Sequence, residues 1–244
     1  MTCPWATFFK ATLAIALVSR PAFPAQVIGK VELRDSREAS VRKRLDYSGV
    51  VISLVPVAGP KPVGLTSAHV TMAQKNKMFT PHVLAIAAGT YVDFPNDDPI
   101  FHNAFSSYSG QLFDLGLYAP GSTKSFRFSR EGIVRVFCNI HSSMSAVIVV
   151  LPTTFFTTTS RDGAVQIPNV PYGDYQLTVF HERATESTLN ALSRRIAVEQ
   201  DSVQLPPIVI SEAGYLQMPH DNKYGRHYAP QTDDHSIYPV AGKE

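Results

Sequence analysis

One seven-residue segment between two apolar runs constrains this chain more than any other feature. Cys138-Asn-Ile-His141-Ser-Ser-Met144 places a thiol, an imidazole and a thioether at three-residue intervals. The runs Gly132–Phe137 and Ser145–Leu151, on either side, are rich in β-branched residues, which is typical of strands. The sequence therefore predicts a short loop, held at both ends by β-strands, that carries three potential metal ligands.

A second imidazole, His102, precedes this loop in a turn-rich stretch that enters another predicted strand. Two imidazoles, one thiolate and a weak axial thioether form the ligand set of a blue-copper electron-transfer site. Taken singly, Cys138 could be a small buried hydrophobe and Met144 a core filler. Zinc is the main inorganic alternative, but structural zinc sites favour four Cys or His ligands and rarely use Met.

At these residues the chain resembles the cupredoxins, the plastocyanin and amicyanin family. The resemblance runs from about Thr71 to Leu151, the middle third of the chain, and includes the short Cys-x-x-His-x-x-Met loop and the His102-Asn103 pair. It implies one copper ion, an equatorial thiolate from Cys138, equatorial nitrogens from His102 and His141, and an axial sulfur from Met144. It also implies that Asn103 ties the upstream ligand segment to the cysteine loop. The whole chain further resembles periplasmic cupredoxin-domain proteins that carry the label methylamine-utilization protein.

The flanks of this segment predict a second β-sandwich. Residues 157–180 read as strand, Asp-Gly turn, strand, Pro-Tyr-Gly turn and strand, and they resemble a carboxypeptidase regulatory-like, or transthyretin-like, immunoglobulin-type sandwich. The first strands of that fold would lie far upstream, at 28–33 and 49–55. The predicted fold class is therefore all-β: a cupredoxin Greek-key sandwich plus a second sandwich, with one short helix between 182 and 195.

Two arrangements of these units are open. In the first, the cupredoxin at 71–151 is inserted into a sandwich made of 26–66 and 153–211, which is possible where the termini of a domain lie close together. In the second, the units are sequential and the first strands extend the cupredoxin. Pairing of residues 50–54 with 176–180 would support insertion, whereas pairing only within the cupredoxin would contradict it.

The two ends of the sequence predict export and a polar tail. Residues 1–25 combine Lys10 with an apolar run and small residues, as a secretory signal does, and the run is too short to span a bilayer. Removal of this leader would take away Cys3 and leave Cys138 as the sole cysteine, and metal ligation explains a lone thiol in an exported protein. Residues 214–244 have little apolar periodicity and are predicted to be extended or disordered.

Three functional classes compete. A periplasmic electron carrier needs only the mononuclear site and an exposed ligand edge, through which it would exchange electrons with a c-type cytochrome or a dehydrogenase. Multicopper enzymes add His-x-His pairs, and none of the eight histidines lie two apart, so we expect no enzyme activity. A copper delivery, storage or sensing module is the third class. The net charge of +2 gives no indication of nucleic acid or a membrane surface as partner.

Overall fold

The computed structural model describes residues 24–59, 68–107, 110–216 and 220–228. Almost all of the predicted leader, part of the predicted first sandwich at 60–66 and the end of the tail lie outside these residues. The secondary structure confirms the all-β prediction. The described elements, in chain order, are β1 (Ala25–Arg34), α1 (Ala39–Arg44), β2 (Val51–Pro56), β3 (His69–Thr71), β4 (Ala73–Lys75), β5 (Met78–Thr80), β6 (Val83–Ala87), β7 (Thr90–Pro95), β8 (His102–Ser106), β9 (Phe113–Tyr118), β10 (Thr123–Phe128), β11 (Gly132–Phe137), β12 (Ser145–Leu151), β13 (Phe156–Thr158), β14 (Ala164–Val170), β15 (Gly173–Phe180), α2 (Glu186–Leu192), β16 (Arg194–Val198), β17 (Ser202–Gln204) and β18 (Ile208–Ser211).

Two sheets enclose one hydrophobic core, and their strands come from the beginning and from the end of the described chain. In the first sheet β1 pairs with β14, β17 and β18; in the second the order is β13-β2-β15-β16. Alternate residues of these strands point inward, as the two-residue period of a strand requires. The fully buried members include Ile52, Leu54, Ile167, Leu177 and Ile208. This core contains no residue between 55 and 164 among its buried members.

The middle of the chain forms a second pair of sheets with its own core. The sheet orders are β6-β12-β11-β8-β9 and β10-β7-β3. Phe94, Phe113 and Phe128 pack against one another in this core, with ring centroids 5.9 Å apart for the first pair and 5.4 Å for the second. Cys138 and Met144 belong to the same buried cluster, so the predicted ligand loop caps the end of this core.

Strand β12 is buried on both faces, which explains its unbroken apolar sequence. Ala146, Ile148 and Val150 face the core that contains Cys138. Val147 and Val149 face the opposite way, into a third cluster that also includes Val51 of β2 and packs against Phe156 and Phe180. The two pairs of sheets therefore pack directly against each other.

The partners of β2 bear on the two arrangements considered above. β2 pairs antiparallel with β15, and the register places Leu54 opposite Leu177 and Ile52 opposite Val179. On its other edge β2 pairs with β13. β2 thus lies between two strands that follow it by more than 90 residues, and the intervening chain forms the second pair of sheets.

The helices are short. Helix α2 lies inside the predicted range 182–195, and the Thr185 side chain caps it by accepting a hydrogen bond from the Thr188 amide. Helix α1 was not predicted, because its six residues bury only Val41 and so give no helical periodicity. No helix in the described part of the chain is long and apolar enough to cross a membrane.

Candidate metal centre

The loop between β11 and β12 is closed by its own backbone. The Cys138 amide donates to the Met144 carbonyl at 3.2 Å, and the Met144 amide donates to the His141 carbonyl at 3.0 Å. β11 and β12 pair along their whole length up to Phe137 and Ser145, so the ladder ends where the loop begins. The loop is therefore fixed at both ends, as its flanking sequence predicts.

Three of the predicted ligands converge at this loop. The Cys138 Sγ atom lies 3.8 Å from His102 Nδ1 and 3.5 Å from His141 Nδ1, and the three ligand atoms all lie within 4.8 Å of one another. Cys138 and His102 are fully buried, whereas His141 is partly exposed. Within the described residues, this is the only group of three or more His, Cys, Asp or Glu side chains close enough to share a metal ion.

The interatomic distances fit a bound first-row metal ion. Zinc–nitrogen and zinc–sulfur bonds are about 2.0 and 2.3 Å long, so a thiolate and an imidazole that share an ion of similar size in a trigonal plane lie about 3.8 Å apart. The two separations between Cys138 Sγ and the imidazole nitrogens agree with this value. The spacing of these three side chains is therefore compatible with a shared metal ion.

Met144, the predicted axial ligand, is fully buried in the same cluster as Cys138. Its backbone closes the loop, so its position is fixed relative to His141. A buried thioether on this loop is compatible with the predicted axial role, because thioether sulfur suits a soft ion.

Asn103 connects the upstream ligand segment to the cysteine loop. Its Oδ1 atom accepts a hydrogen bond from the Asn139 amide at 3.3 Å. Its Nδ2 atom donates to Asp114 Oδ1 at 2.8 Å and to the Gly116 carbonyl at 2.9 Å. These contacts join β8, which carries His102, to the residue that follows Cys138.

Asp98, which the sequence did not single out, orients His102. Its Oδ2 atom lies 2.8 Å from His102 Nε2, and its two oxygens accept the backbone amides of Asn76 and Lys77 at 2.6 and 2.8 Å. A carboxylate on the far nitrogen of an imidazole fixes its tautomer and leaves the other nitrogen free to bind a metal. Here the free nitrogen is Nδ1, the atom that faces Cys138.

The protonation states suit metal binding near neutral pH. Burial lowers the pKa of His141 to about 4, and burial also lowers the pKa of His102 despite the neighbouring Asp98. Both imidazoles are therefore neutral and can act as ligands. Burial raises the pKa of the Cys138 thiol, so a metal ion would displace its proton on binding.

Residues 220–228, part of the tail that the sequence predicts to be extended or disordered, lie against the ligand loop. The His220 ring packs against the Phe137 ring with centroids 3.9 Å apart and planes tilted by 31°, and the Tyr228 hydroxyl donates to the Cys138 carbonyl at 2.9 Å. Low apolar periodicity led to that prediction, and aromatic and polar contacts hold residues 220–228. The spacing of Asp98 four residues before His102 could have indicated its role, but no sequence signal indicates Tyr228.

Three other described histidines lie in or beside the sheets, away from the ligand loop. His69 pairs with Asp93 at 2.9 Å on the surface. His82 pairs with Glu182 at 2.9 Å, and His181 with Glu212 at 2.8 Å, near the contact between the two pairs of sheets. None of them joins the group at Cys138.

No family model and no curated protein matches this chain. Among solved structures, it is similar to a purple cupredoxin from Nitrosopumilus maritimus, at 26% identity over 34% of this chain and 99% of that chain, with a TM-score of 0.31. It is similar to amicyanin from Paracoccus versutus at 19% identity, over 41% of this chain and 97% of that chain, with a TM-score of 0.33. It also matches 25% of a copper-containing nitrite reductase from Thermus scotoductus SA-01, at 26% identity over 39% of this chain and a TM-score of 0.32. All three TM-scores are below 0.5, and we base no proposal on them.

Proposed function

We propose that this chain binds one copper ion in a type 1 site formed by His102, Cys138, His141 and axial Met144, and that it carries single electrons between redox partners. The observation that carries the proposal is the convergence of one thiol and two Nδ1 atoms within 4.8 Å at the end of a buried core. Bound copper would supply the one-electron couple between Cu(I) and Cu(II). Thiolate and imidazole ligands are acceptable to both states.

The surroundings of the ligands support fast electron transfer. Cys138, His102 and Met144 are shielded from water by the core, and Asp98 and Asn103 fix the segments that carry the ligands. Ligands held in this way rearrange little when the charge of the ion changes. A rigid ligand set is what a carrier requires.

The partly exposed His141 would be the route by which electrons enter and leave. Phe101 and Ile140 are 37% and 39% exposed. Pro99, two residues before Phe101, is also exposed. We propose that these side chains form the rim on which a redox protein, such as a c-type cytochrome or a dehydrogenase, docks. An apolar rim around an exposed ligand brings two redox centres close without a permanent complex.

Replacing Asp98 by asparagine should weaken copper binding and raise the reduction potential. The carboxylate both orients His102 and places a negative charge beside the site, and that charge favours Cu(II) over Cu(I). We expect the affinity for Cu(II) to fall by about 10- to 100-fold, the usual effect of removing a partner that orients a ligand. Chelator competition and voltammetry measure the two quantities.

Asp97→Asn is the matched control, because it removes the same charge one residue away from an exposed side chain. It should leave the affinity close to that of the unmodified protein. Equal effects of the two variants would mean that Asp98 contributes only general charge and does not orient His102.

Copper delivery, storage or sensing is the alternative function. Delivery proteins bind Cu(I) at exposed sites of low coordination, whereas Cys138 and Met144 are fully buried here, which favours the carrier. The two functions differ in the rate of electron exchange and in the rate of copper loss. A carrier should exchange electrons rapidly between its oxidised and reduced forms and lose copper to a chelator slowly; fast copper loss with slow electron exchange would identify a delivery protein.

We also propose that the copper-binding unit, residues 71–151, is inserted into a sandwich made of 26–66 and 153–211. The pairing of β2 with β15 and β13 supports this arrangement, as does a core drawn from both ends of the chain. The outer sandwich would hold the inserted unit through the cluster around Val51 and Val149.

The location that we propose is the periplasm, with residues 1–25 acting as the export signal. The support comes from the sequence of this segment and from the chemistry of Cys138, a buried free thiol for which metal ligation gives a role. Fractionation of cells that express the full chain, with the N-terminal residue of the mature protein determined, tests both points.

A further inference from the structure

Residues 220–228, here called the C-terminal strap, contact the ligand loop at three successive places. The Tyr228 hydroxyl donates to the Cys138 carbonyl at 2.9 Å. The Lys223 amide donates to Asn139 Oδ1 at 3.0 Å. His220 Nε2 lies within hydrogen-bonding distance of the Ser142 carbonyl, at 3.0 Å. These are polar contacts with the backbone or side chain of three loop residues, rather than packing against a distant face.

The strap also completes a closed circuit of hydrogen bonds. Asn103 Oδ1 accepts from the Asn139 amide, and Asn139 Oδ1 accepts from the Lys223 amide. Lys223 Nζ then pairs with Asp114 Oδ2 at 2.8 Å, and Asp114 Oδ1 accepts from Asn103 Nδ2. Each of the four residues is hydrogen-bonded to the next one in the circuit, so the circuit is stiffer than four separate hydrogen bonds would be. The circuit joins the strand of His102, the cysteine loop and the strap.

Aromatic contacts hold the strap over the residue before the cysteine. The His220 ring lies on the Phe137 ring at a centroid distance of 3.9 Å, and the Tyr228 ring meets His220 edge-on at 5.3 Å. Tyr228 is partly buried, whereas Tyr224 of the same strap is 70% exposed. Tyr228 therefore anchors the strap, and Tyr224 does not.

We propose that the C-terminal strap is part of the metal centre, and that Tyr228 is a positioning residue that holds the Cys138 end of the ligand loop. The inference rests on the proposed copper site and extends it by a segment more than 75 residues away in sequence. The ligand loop must move before a bound metal ion can leave, and the strap limits that movement. The Tyr228 hydroxyl also directs the positive end of its dipole at the Cys138 carbonyl, which favours the reduced, less positive site.

Tyr228→Phe tests the proposal, because it removes the hydroxyl and keeps the ring that packs on His220. Removing groups that orient ligands weakens metal binding by about 10- to 100-fold, and we expect the lower end, about tenfold faster loss of copper to a chelator. The reduction potential should fall, because the dipole that favours Cu(I) is gone. Tyr224→Phe makes the same change in the same strap at a side chain that touches Lys223 but no loop residue. It should stay much closer to the unmodified protein than Tyr228→Phe in both measurements.

Hydrogen exchange of the metal-free chain separates this proposal from the proposed function. Loss of the Tyr228 hydrogen bond should speed the exchange of the Asn139 and Met144 amides by about three- to tenfold, and Tyr224→Phe should leave it unchanged. If the unmodified protein shows no type 1 copper spectrum, the function fails while this result still decides the role of the strap. Identical exchange in all three proteins, or identical copper loss and potential, would overturn the proposal.

Discussion

Replacing Cys138 by serine is expected to abolish the intense visible absorption of the copper-loaded protein. That absorption arises from charge transfer between a thiolate sulfur and Cu(II), and Cys138 is the only thiol in the described chain close to His102 and His141. Serine has nearly the same shape but offers a hydroxyl, which is a poor ligand for Cu(I). Absorption spectroscopy after addition of one equivalent of Cu(II) measures the effect.

Ser143→Ala is the control within the same loop, since Ser143 is exposed and its side chain contributes no ligand atom. This variant should keep the full absorption. Circular dichroism of the metal-free proteins shows whether Cys138→Ser retains the fold. A visible band of undiminished intensity in a folded Cys138→Ser protein would disprove the ligand assignment.

Replacing Leu177 by alanine is expected to lower the free energy of unfolding by about 2–5 kcal/mol, the usual cost of deleting a fully buried leucine side chain. Leu177 is completely buried in the core shared by the two ends of the chain and lies opposite Leu54 in the ladder of β2 and β15. The copper spectrum should be unchanged, because this core contains none of the proposed ligands. Urea unfolding followed by circular dichroism, together with the visible spectrum, gives both results.

The double variant Leu54→Ala/Leu177→Ala tests the proposed insertion most sharply. Side chains in contact show coupling energies of about 0.5–3 kcal/mol, whereas distant sites are additive. Leu216→Ala makes the same change at a side chain that is 69% exposed, and it should alter stability by less than about 0.5 kcal/mol. Additive effects of Leu54 and Leu177 would count against pairing of these two segments.

Much of the candidate site follows from local sequence. The three-residue spacing within Cys138–Met144 and the apolar runs on both sides predict a loop between two strands, and the structure has that loop between β11 and β12. The all-β class follows in the same way from period-two patterns and turn residues. These features are predictable because they depend on neighbours in the chain.

Other parts of the site depend on contacts between distant segments. Asp98 acts on His102 only because a turn brings its carboxylate to the Nε2 atom, and many Asp residues in turns merely cap their own backbone. Tyr228 lies in a polar segment without periodicity, and its contact with Cys138 spans 90 residues. Low apolar periodicity predicted only an extended or disordered segment there, since aromatic and hydrogen-bond contacts leave no repeating pattern.

The visible and electron paramagnetic resonance spectra of the copper-loaded full chain test the central claim most directly. A type 1 site at His102, Cys138, His141 and Met144 predicts one Cu(II) per chain, an intense thiolate-to-copper band and a small parallel hyperfine splitting caused by covalency with sulfur. A weak visible band with the large splitting of tetragonal nitrogen and oxygen ligation would contradict it.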